Sequence, residues 1–508
     1  MTMDEGGRAA PASPDKGHGR STVLGIAWLS LGRGVKLLVN LVTIAILSRL
    51  LTPADFGSVV IPLALVSLGQ TLSEGAFGMN LIQRKSIDGT DVGAALLLSL
   101  GIGLLLAAAT ASAAPLVEWM VDIDNAAWLL LIAAPILTIS AVSSVGRNLL
   151  IRDRRFSLIA ALSTVGSVGY GVAATALALW GFGPSALILG ALVRSFVQGA
   201  MVLTAALRRH RPRFSTARLR EAFISARVYS LWSLFLWSGN NIDRLVVAKL
   251  STVVDLGLYV RAMNVMQMAL GLTGTGSFRV LFSTFSRMQD DLPRLRAAVQ
   301  RALTAGLTIS GLVAAFAVVF ADLLVWIILG PQWVGAIPII QVIFLSLTAR
   351  SGYHFAEAVP ASLGLARANA VRQALRTLLI GICAWIGAQY GIVGAAVGVA
   401  AAFWIFYVLI LIYVARLISL PLSTALRINL IPLVVAAVPA GAALMVRQIP
   451  SGPQWLLDLA AVGLFALLAL SFLARAPASI IGEDAVRLRE KLLSIARKRG
   501  RGRKVSGT

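Results

Sequence analysis

Charged and hydrogen-bonding side chains interrupt the apolar stretches of this chain at a few places, and their spacing limits what they can do. Arg33, Lys36 and Asn40 recur at i, i+3 and i+7, which puts them on one helix face. Two cations one turn apart repel, so that face needs an anion or an acidic residue from elsewhere. Glu74, with Gln70 one turn before it, is the nearest acidic candidate, and one carboxylate cannot neutralise two cations. Arg350, His354 and Glu357 share another face at i, i+4 and i+7. Both a local Arg–Glu bridge and a functional site are open there. An imidazole ordinarily titrates near neutral pH, so Glu74, His354 and Glu357 are candidates for ion coupling. Arg194 with Gln198, and Arg261 with Asn264, are further candidate substrate contacts. Asp243 and Arg244 are adjacent, point in different directions around a helix and read as an interlobe structural pair. A charge at mid-bilayer costs at least about 2.5–3.5 kcal/mol, so each needs a partner or water. Cations outnumber acids at these places, which suits a diphosphate or acidic-sugar ligand.

Other chemistries lack their residues. The chain contains no HExxH, no P-loop and no Asp-rich cluster, so no catalytic residue, metal site or cofactor is expected. The one cysteine, Cys383, sits in an apolar run and reads as a small hydrophobe.

The elements that must position these side chains follow from composition. Of 508 residues, 58% are hydrophobic and 13% charged, with a mean hydropathy of +0.83. Soluble domains are about 45–50% apolar and about 25% charged. The chain is therefore read as an all-α polytopic membrane protein. Runs of the length that crosses a bilayer, about 20 residues, number about fourteen. They lie near Thr22–Arg49, Phe56–Ile82, Val92–Trp119, Ala127–Ile151, Phe156–Trp180, Ser185–Leu207 and Val228–Leu250. They continue near Leu256–Phe282, Ala302–Leu329, Ala336–Ala361, Thr377–Tyr390, Val393–Arg416, Asn429–Val446 and Trp455–Leu473.

The net charge is +23, which raises the question of nucleic acid. The basic residues fall instead in short clusters between alternate runs, such as Arg152/Arg154/Arg155, Arg208–Arg213 and Arg367/Arg372/Arg376. The other connections, Leu51–Asp55 and Gly181–Pro184 among them, are short and nearly bare of cations. That alternation is the mark of loops facing an anionic inner leaflet, and it predicts that both termini are cytoplasmic, with no nucleic-acid partner.

Internal repetition is the strongest organisational signal. Arg49-Leu50-Leu51-Thr52-Pro53-Ala54-Asp55-Phe56-Gly57 and Lys249-Leu250-Ser251-Thr252-Val253-Val254-Asp255-Leu256-Gly257 match without a gap as basic-Leu-x-Thr-x-x-Asp-apolar-Gly. A weaker echo pairs Gly181-Phe182-Gly183-Pro184-Ser185-Ala186 with Gly391-Ile392-Val393-Gly394-Ala395-Ala396 at matching places in a six-span period. Duplicated halves around a shared site are a common transporter plan. In each turn the Asp is expected to cap the helix that follows and the Gly to allow a tight entry.

The stretch Leu47–Gly57, the stretch Gly75–Lys85, and Asn240–Val247 leading to Leu256–Ala262 resemble Wzx-type polysaccharide flippases. Those proteins belong to the multidrug/oligosaccharidyl-lipid/polysaccharide exporter superfamily. The resemblance implies two six-helix lobes around a central cavity plus two C-terminal helices. The corresponding boundaries are a tail at 1–20, lobes at 21–224 and 225–416, an accessory helix pair at 417–474 and a basic cytoplasmic tail at 475–508. It also implies transfer of polyprenyl-diphosphate-linked oligosaccharide across the bacterial inner membrane, for exopolysaccharide, capsule or O-antigen synthesis. Membrane lipids, and the polysaccharide polymerase and export machinery, are the implied partners. The alternative reading is a membrane-embedded polysaccharide polymerase or glycosyltransferase. Such an enzyme needs converging acid/base groups, commonly on a sizeable loop at the membrane face, and the far-side loops here are a few residues long.

Overall fold

The computed structural model describes residues 17–83, 86–121, 125–213, 215, 219, 237–275, 277–449 and 453–475. Among them helix dominates and there is no strand. The first half comprises α1 (Gly17–Leu50), α2 (Pro53–Ser58), α3 (Val60–Gln83), α4 (Gly89–Val121), α5 (Ala126–Arg152), α6 (Phe156–Leu179) and α7 (Ser185–Leu207). The second half begins with α8 (237–250), α9 (Val253–Leu270), α10 (Ser277–Ser286), α11 (Leu292–Val319) and α12 (Ala321–Leu324). It continues with α13 (Ala336–Leu345), α14 (Leu347–Ser362), α15 (Ala366–Ala388) and α16 (Gly391–Leu417). A closing pair, α17 (Leu422–Arg447) and α18 (Gln454–Arg475), packs on α11. Among the described residues, 11 helices are long and apolar enough to cross a membrane. The first, seventh and eighth expected runs, which overlap α1, α8 and α9, lie partly outside the described residues and are not in that count.

Two helices start earlier than the hydropathy places them. The eleventh run was expected from Thr377, yet α15 starts at Ala366, so Arg372 and Arg376 are helical rather than loop residues. Arginine can lay its stem along apolar surface while its head finds a partner. Here Arg372 lies 5.2 Å from the centre of the Tyr413 ring and Arg376 5.3 Å from that of Tyr353. Likewise α11 starts at Leu292, where the Asp291 side chain accepts from Arg294 N at 3.1 Å.

The repeated motif forms the same structure twice. Thr52 and Thr252 are the N-caps of α2 and α9, each Oγ1 accepting from the backbone N–H of the Asp three residues on, at 3.2 Å. The caps are therefore the threonines, not Asp55 and Asp255 as expected. Asp55 completes a capping box by accepting from Thr52 N at 2.8 Å. The weaker echo also holds, since Gly181 and Gly391 both adopt φ 82°, a left-handed conformation that suits glycine.

These two corners cross each other. A Cβ built on Gly57 would overlap the Val253 carbonyl, and one on Gly257 would overlap the Pro53 carbonyl. Only glycine allows this backbone-to-backbone approach. Around the crossing, Leu47, Phe56, Leu256, Tyr259 and Trp333 share one core drawn from both halves. Polar ties reinforce it. Trp333 Nε1 donates to Ser48 O at 2.7 Å, and Gln332 Nε2 donates to Ser48 O and to Leu51 O, the latter at 2.9 Å. Arg49 donates to Ile327 O at 3.1 Å, inside a π-helical turn at Val325–Leu329. Trp237 of α8 donates to Ala64 O and Ser67 Oγ of α3, at 3.1 and 2.8 Å. Toward the basic end the described residues of the two halves form separate cores, one around Leu149 and Val202 and the other around Leu295 and Phe406.

Candidate functional site

Within the first half, α3, α5 and α7 enclose a cavity of about 300 Å3 whose wall includes Gln70, Ser140, Ser143, Arg147, Arg194 and Gln198. At two places a glycine lets a polar side chain approach closely. A Cβ on Gly199 would strike Ser143 Oγ, and one on Gly166 would come within 2.9 Å of Gln198. Gln70 donates to Ser140 Oγ at 3.0 Å. Arg194 is exposed to the cavity and has no carboxylate partner among the described residues. Lys36, half-buried on α1, donates to Ser163 Oγ of α6 at 2.6 Å and lies within electrostatic range of Arg194. Asn40 is one turn further along α1 and half-buried. The side chains of Arg33 and Glu74 lie outside the described residues. The fold thus gathers Lys36, Arg194, Gln198 and Gln70 from three helices, as donors with no described acid among them. Such a set can bind an anion and hydrogen-bond hydroxyl groups.

The second half solves the same problem differently. A cavity of about 150 Å3 is lined by Asn240, Asp243, Arg350, His354, Arg376 and Phe403. Arg350 is buried, with its guanidinium carbon 3.6 Å from the centre of the Phe403 ring and Nε donating to Ser346 Oγ at 3.0 Å. The Arg350–Glu357 bridge weighed above does not form. Glu357 accepts from Gln373 at 3.1 Å, and Gln373 also bonds Tyr353 at 2.6 Å. His354 lies beside the Tyr353 ring.

Among the described residues, the hydrogen bonds of Asp243 and Arg244, expected as an interlobe pair, stay within the second half. Asp243 accepts from Tyr259 at 2.8 Å, and Arg244 donates weakly to Asn241 at 3.4 Å, all within the second half. The interlobe role falls instead to Arg261, expected as a cavity residue. Its guanidinium carbon sits 3.6 Å above Phe56 and 5.7 Å from Trp333, buried in the shared core. A ring from the other half supplies what a carboxylate does elsewhere. Asn264, also expected to line a cavity, is half-buried one turn further along α9.

Sequence reasoning missed Arg147 and Ser163 as site residues and took Arg376 for a loop cation. A lone arginine inside an apolar run was the available signal for Arg147, and nothing in the order of residues pairs Ser163 with Lys36.

The polysaccharide biosynthesis protein family (Polysacc_synt_3) matches residues 46–338, more than half of the chain. The chain is 23% identical over 325 residues to lipopolysaccharide biosynthesis protein WzxC of Escherichia coli (strain K12), across 63% of this chain and 66% of that protein. It therefore spans just under two thirds of that relative. It is 23% identical over 333 residues to succinoglycan biosynthesis transport protein ExoT of Rhizobium meliloti (strain 1021), across 65% of this chain and 67% of that protein. Among solved structures it is similar to a lipid II flippase MurJ in an inward closed conformation. That match has a TM-score of 0.74 at 14% identity and covers 90% of this chain and 99% of the other. An inward-facing multidrug resistance MATE family transporter of the MOP superfamily matches with a TM-score of 0.63 at 16% identity, over 76% of this chain and 94% of that one. At such identities the likeness establishes a shared fold.

Proposed function

The chain belongs to the polysaccharide biosynthesis protein family, and we propose that it is a flippase for polyprenyl-diphosphate-linked oligosaccharides. The observation that carries this reading is the first-half cavity, where Arg194 meets amide and hydroxyl side chains, with Lys36 bonded to Ser163 within electrostatic range of it and neither cation facing a described counter-charge. Cations are costly inside a membrane unless water or an anion meets them. A diphosphate supplies that anion, and Gln70, Gln198 and the serines offer partners to sugar hydroxyls. The names of WzxC and ExoT, and the fold shared with a lipid II flippase, support the same cargo class. On this reading the protein is a transporter and not an enzyme. It works beside the polymerase and export machinery of its pathway.

The proposed setting is the bacterial inner membrane, with fourteen spans and both termini cytoplasmic. The six-helix lobes are residues 21–224 and 225–416, followed by the accessory pair at 417–474. Cargo enters between the lobes from the basic side while the Gly57–Gly257 crossing keeps the far side closed. It leaves when that crossing parts. Each hydrogen bond there contributes about 0.5–1.5 kcal/mol, so the cargo must bind the far-side-open state more tightly to drive the change.

Export of a labelled lipid-linked oligosaccharide tests the reading. Lys36→Gln and Arg194→Gln, singly and together, should reduce export at least about ten-fold at unchanged membrane abundance, because a charge-assisted contact is worth about 1.5–3 kcal/mol. Lys36→Arg should be milder. Full export by the double Gln variant would overturn the site. A reporter active only outside the inner membrane should be silent after Arg155 or Arg213 and active after Pro184. A signal at Arg213 would overturn the topology.

A further inference from the structure

A third cavity, of about 710 Å3, lies between α16 and α17 and belongs to neither cation site. Ligand sites commonly occupy about 300–1,000 Å3, so it is large enough to matter. Its wall is apolar along Trp404, Val408, Leu411, Ile412 and Leu426, and Arg416 stands at its rim.

Three observations specify the occupant. The first is length. A helix rises about 1.5 Å per residue, so the wall from Trp404 to Arg416 runs about 18 Å. One hydrocarbon leaflet is about 15 Å, half the bilayer core. The groove therefore matches the depth of one leaflet and not both.

The second is that Trp404, Tyr407 and Asn429, the polar side chains along the wall between its ends, already have partners. Tyr407 donates to Asn429 Oδ1 at 2.9 Å, Asn429 donates to Ala425 O at 2.8 Å, and Trp404 donates to Leu345 O at 3.1 Å. A sugar or headgroup has little to bond along this wall, whereas an acyl chain asks for nothing.

The third is charge at one end. The chain reverses there through Ser419 at φ 51°, with Leu420 N donating to Ala415 O at 2.7 Å, which closes the end of α16. Arg416, in the last turn before this reversal, is exposed, and it has no ion pair among the described residues. An apolar trough with one cation at its mouth complements a lipid with a negative headgroup.

We propose that this groove holds an anionic glycerophospholipid of the cytoplasmic leaflet, its acyl chain along α16 and α17 and its phosphate at Arg416. The assignment rests on the cytoplasmic placement of Arg416 in the topology above. The lipid fills the seam between the second half and the α17–α18 pair, so it would couple that pair to its lobe.

Native mass spectrometry of the full chain, purified in a mild detergent and supplied with phosphatidylglycerol or phosphatidylcholine, tests the site. Phosphatidylglycerol should be retained about five-fold more, the worth of one basic residue beside an anionic headgroup. Arg416→Gln should erase the preference and Arg416→Lys should keep it. Ala415→Trp, which places an indole in the trough, should abolish retention of both lipids. Should Ala415→Trp fail to fold, the Arg416 pair still decides the matter. Equal retention of the two lipids, or a preference that survives Arg416→Gln, would overturn the proposal. So would preferential retention of a polyprenyl phosphate over phosphatidylglycerol. Lipid retention that rises when residues 476–508 are removed would also overturn it, by showing that the chain's own tail fills the groove. Retention in detergent does not depend on export, so this proposal and the flippase reading fail separately.

Discussion

The two ends of the helix bundle are built on different principles. At the far end the halves share one core and touch backbone to backbone, Gly57 against Val253 and Gly257 against Pro53. The side chains that tie them there, Arg49, Gln332 and Trp333, all bond main-chain carbonyls of the opposite half. At the basic end, among the described residues, each half keeps its own core. A contact made of glycine backbone and fixed carbonyls has no side chain that can yield gradually, so it closes as a unit or parts as a unit. Walls with independent cores can instead move apart without unpacking. One end thus has the character of a gate and the other that of two rigid jaws.

The largest effect should come from spoiling the gate. In Gly57→Val the new side chain meets the Val253 carbonyl directly. Overpacking of this kind costs about 1–3 kcal/mol and occasionally more, which at the upper end favours the parted state by about a hundred-fold. The readout is Ser48→Cys in a Cys383→Ala background. Ser48 is fully buried at the gate and its hydroxyl bonds nothing there. Its labelling by a membrane-impermeant maleimide from the far side should rise sharply in Gly57→Val. Unchanged labelling would show that the crossing is not what seals this end.

A second, intermediate effect separates the cations of the two regions. Arg261 is stacked at the gate on a ring of the opposite half, whereas Arg194 faces an open cavity. Arg261→Gln should lower stability by about 2 kcal/mol, from the lost desolvated stack. Arg194→Gln should stay within about 0.5 kcal/mol, as exposed substitutions do. Thermal unfolding in detergent reads both. Equal losses would erase the distinction between a structural and a ligand-facing charge.

Much of this division was legible in the order of residues, and the limits are physical. The gapless match of Arg49–Gly57 with Lys249–Gly257 marked the corners, because a repeated turn needs the same Thr, Asp and Gly each time. That the corners meet was not legible, since a close glycine approach leaves no mark on the partner's sequence. Hydropathy located α4, α7 and α16 well, since an apolar run and a spanning helix are nearly the same statement. It misplaced the start of α15, because Arg372 and Arg376 look like loop residues until Tyr413 and Tyr353 are brought beside them. For the candidate site, Lys36 and Arg194 stood out as cations in apolar runs. Arg261 stood out equally and turned out to serve packing, because only tertiary contact distinguishes an aromatic partner from a ligand.

The smallest effect belongs to Gln332. Gln332→Ala removes its two bonds to the carbonyls of Ser48 and Leu51 but leaves Trp333 bonded to Ser48. A loss of about 1 kcal/mol should raise Ser48→Cys labelling about five-fold. A change as large as that of Gly57→Val would place the seal in the side-chain ties rather than in the backbone crossing.

The central claim is that the far-side corners part when cargo is carried across. Spin labels at Ala54→Cys and Val254→Cys, in a Cys383→Ala background and in lipid, report on it most directly. Both residues lie in the first turns of the crossing helices α2 and α9. Without substrate the labels should show one short distance, the crossed state. With lipid-linked oligosaccharide they should show a second, longer distance whose population grows with substrate. One narrow distance that ignores substrate, in a variant that still exports, would contradict the account.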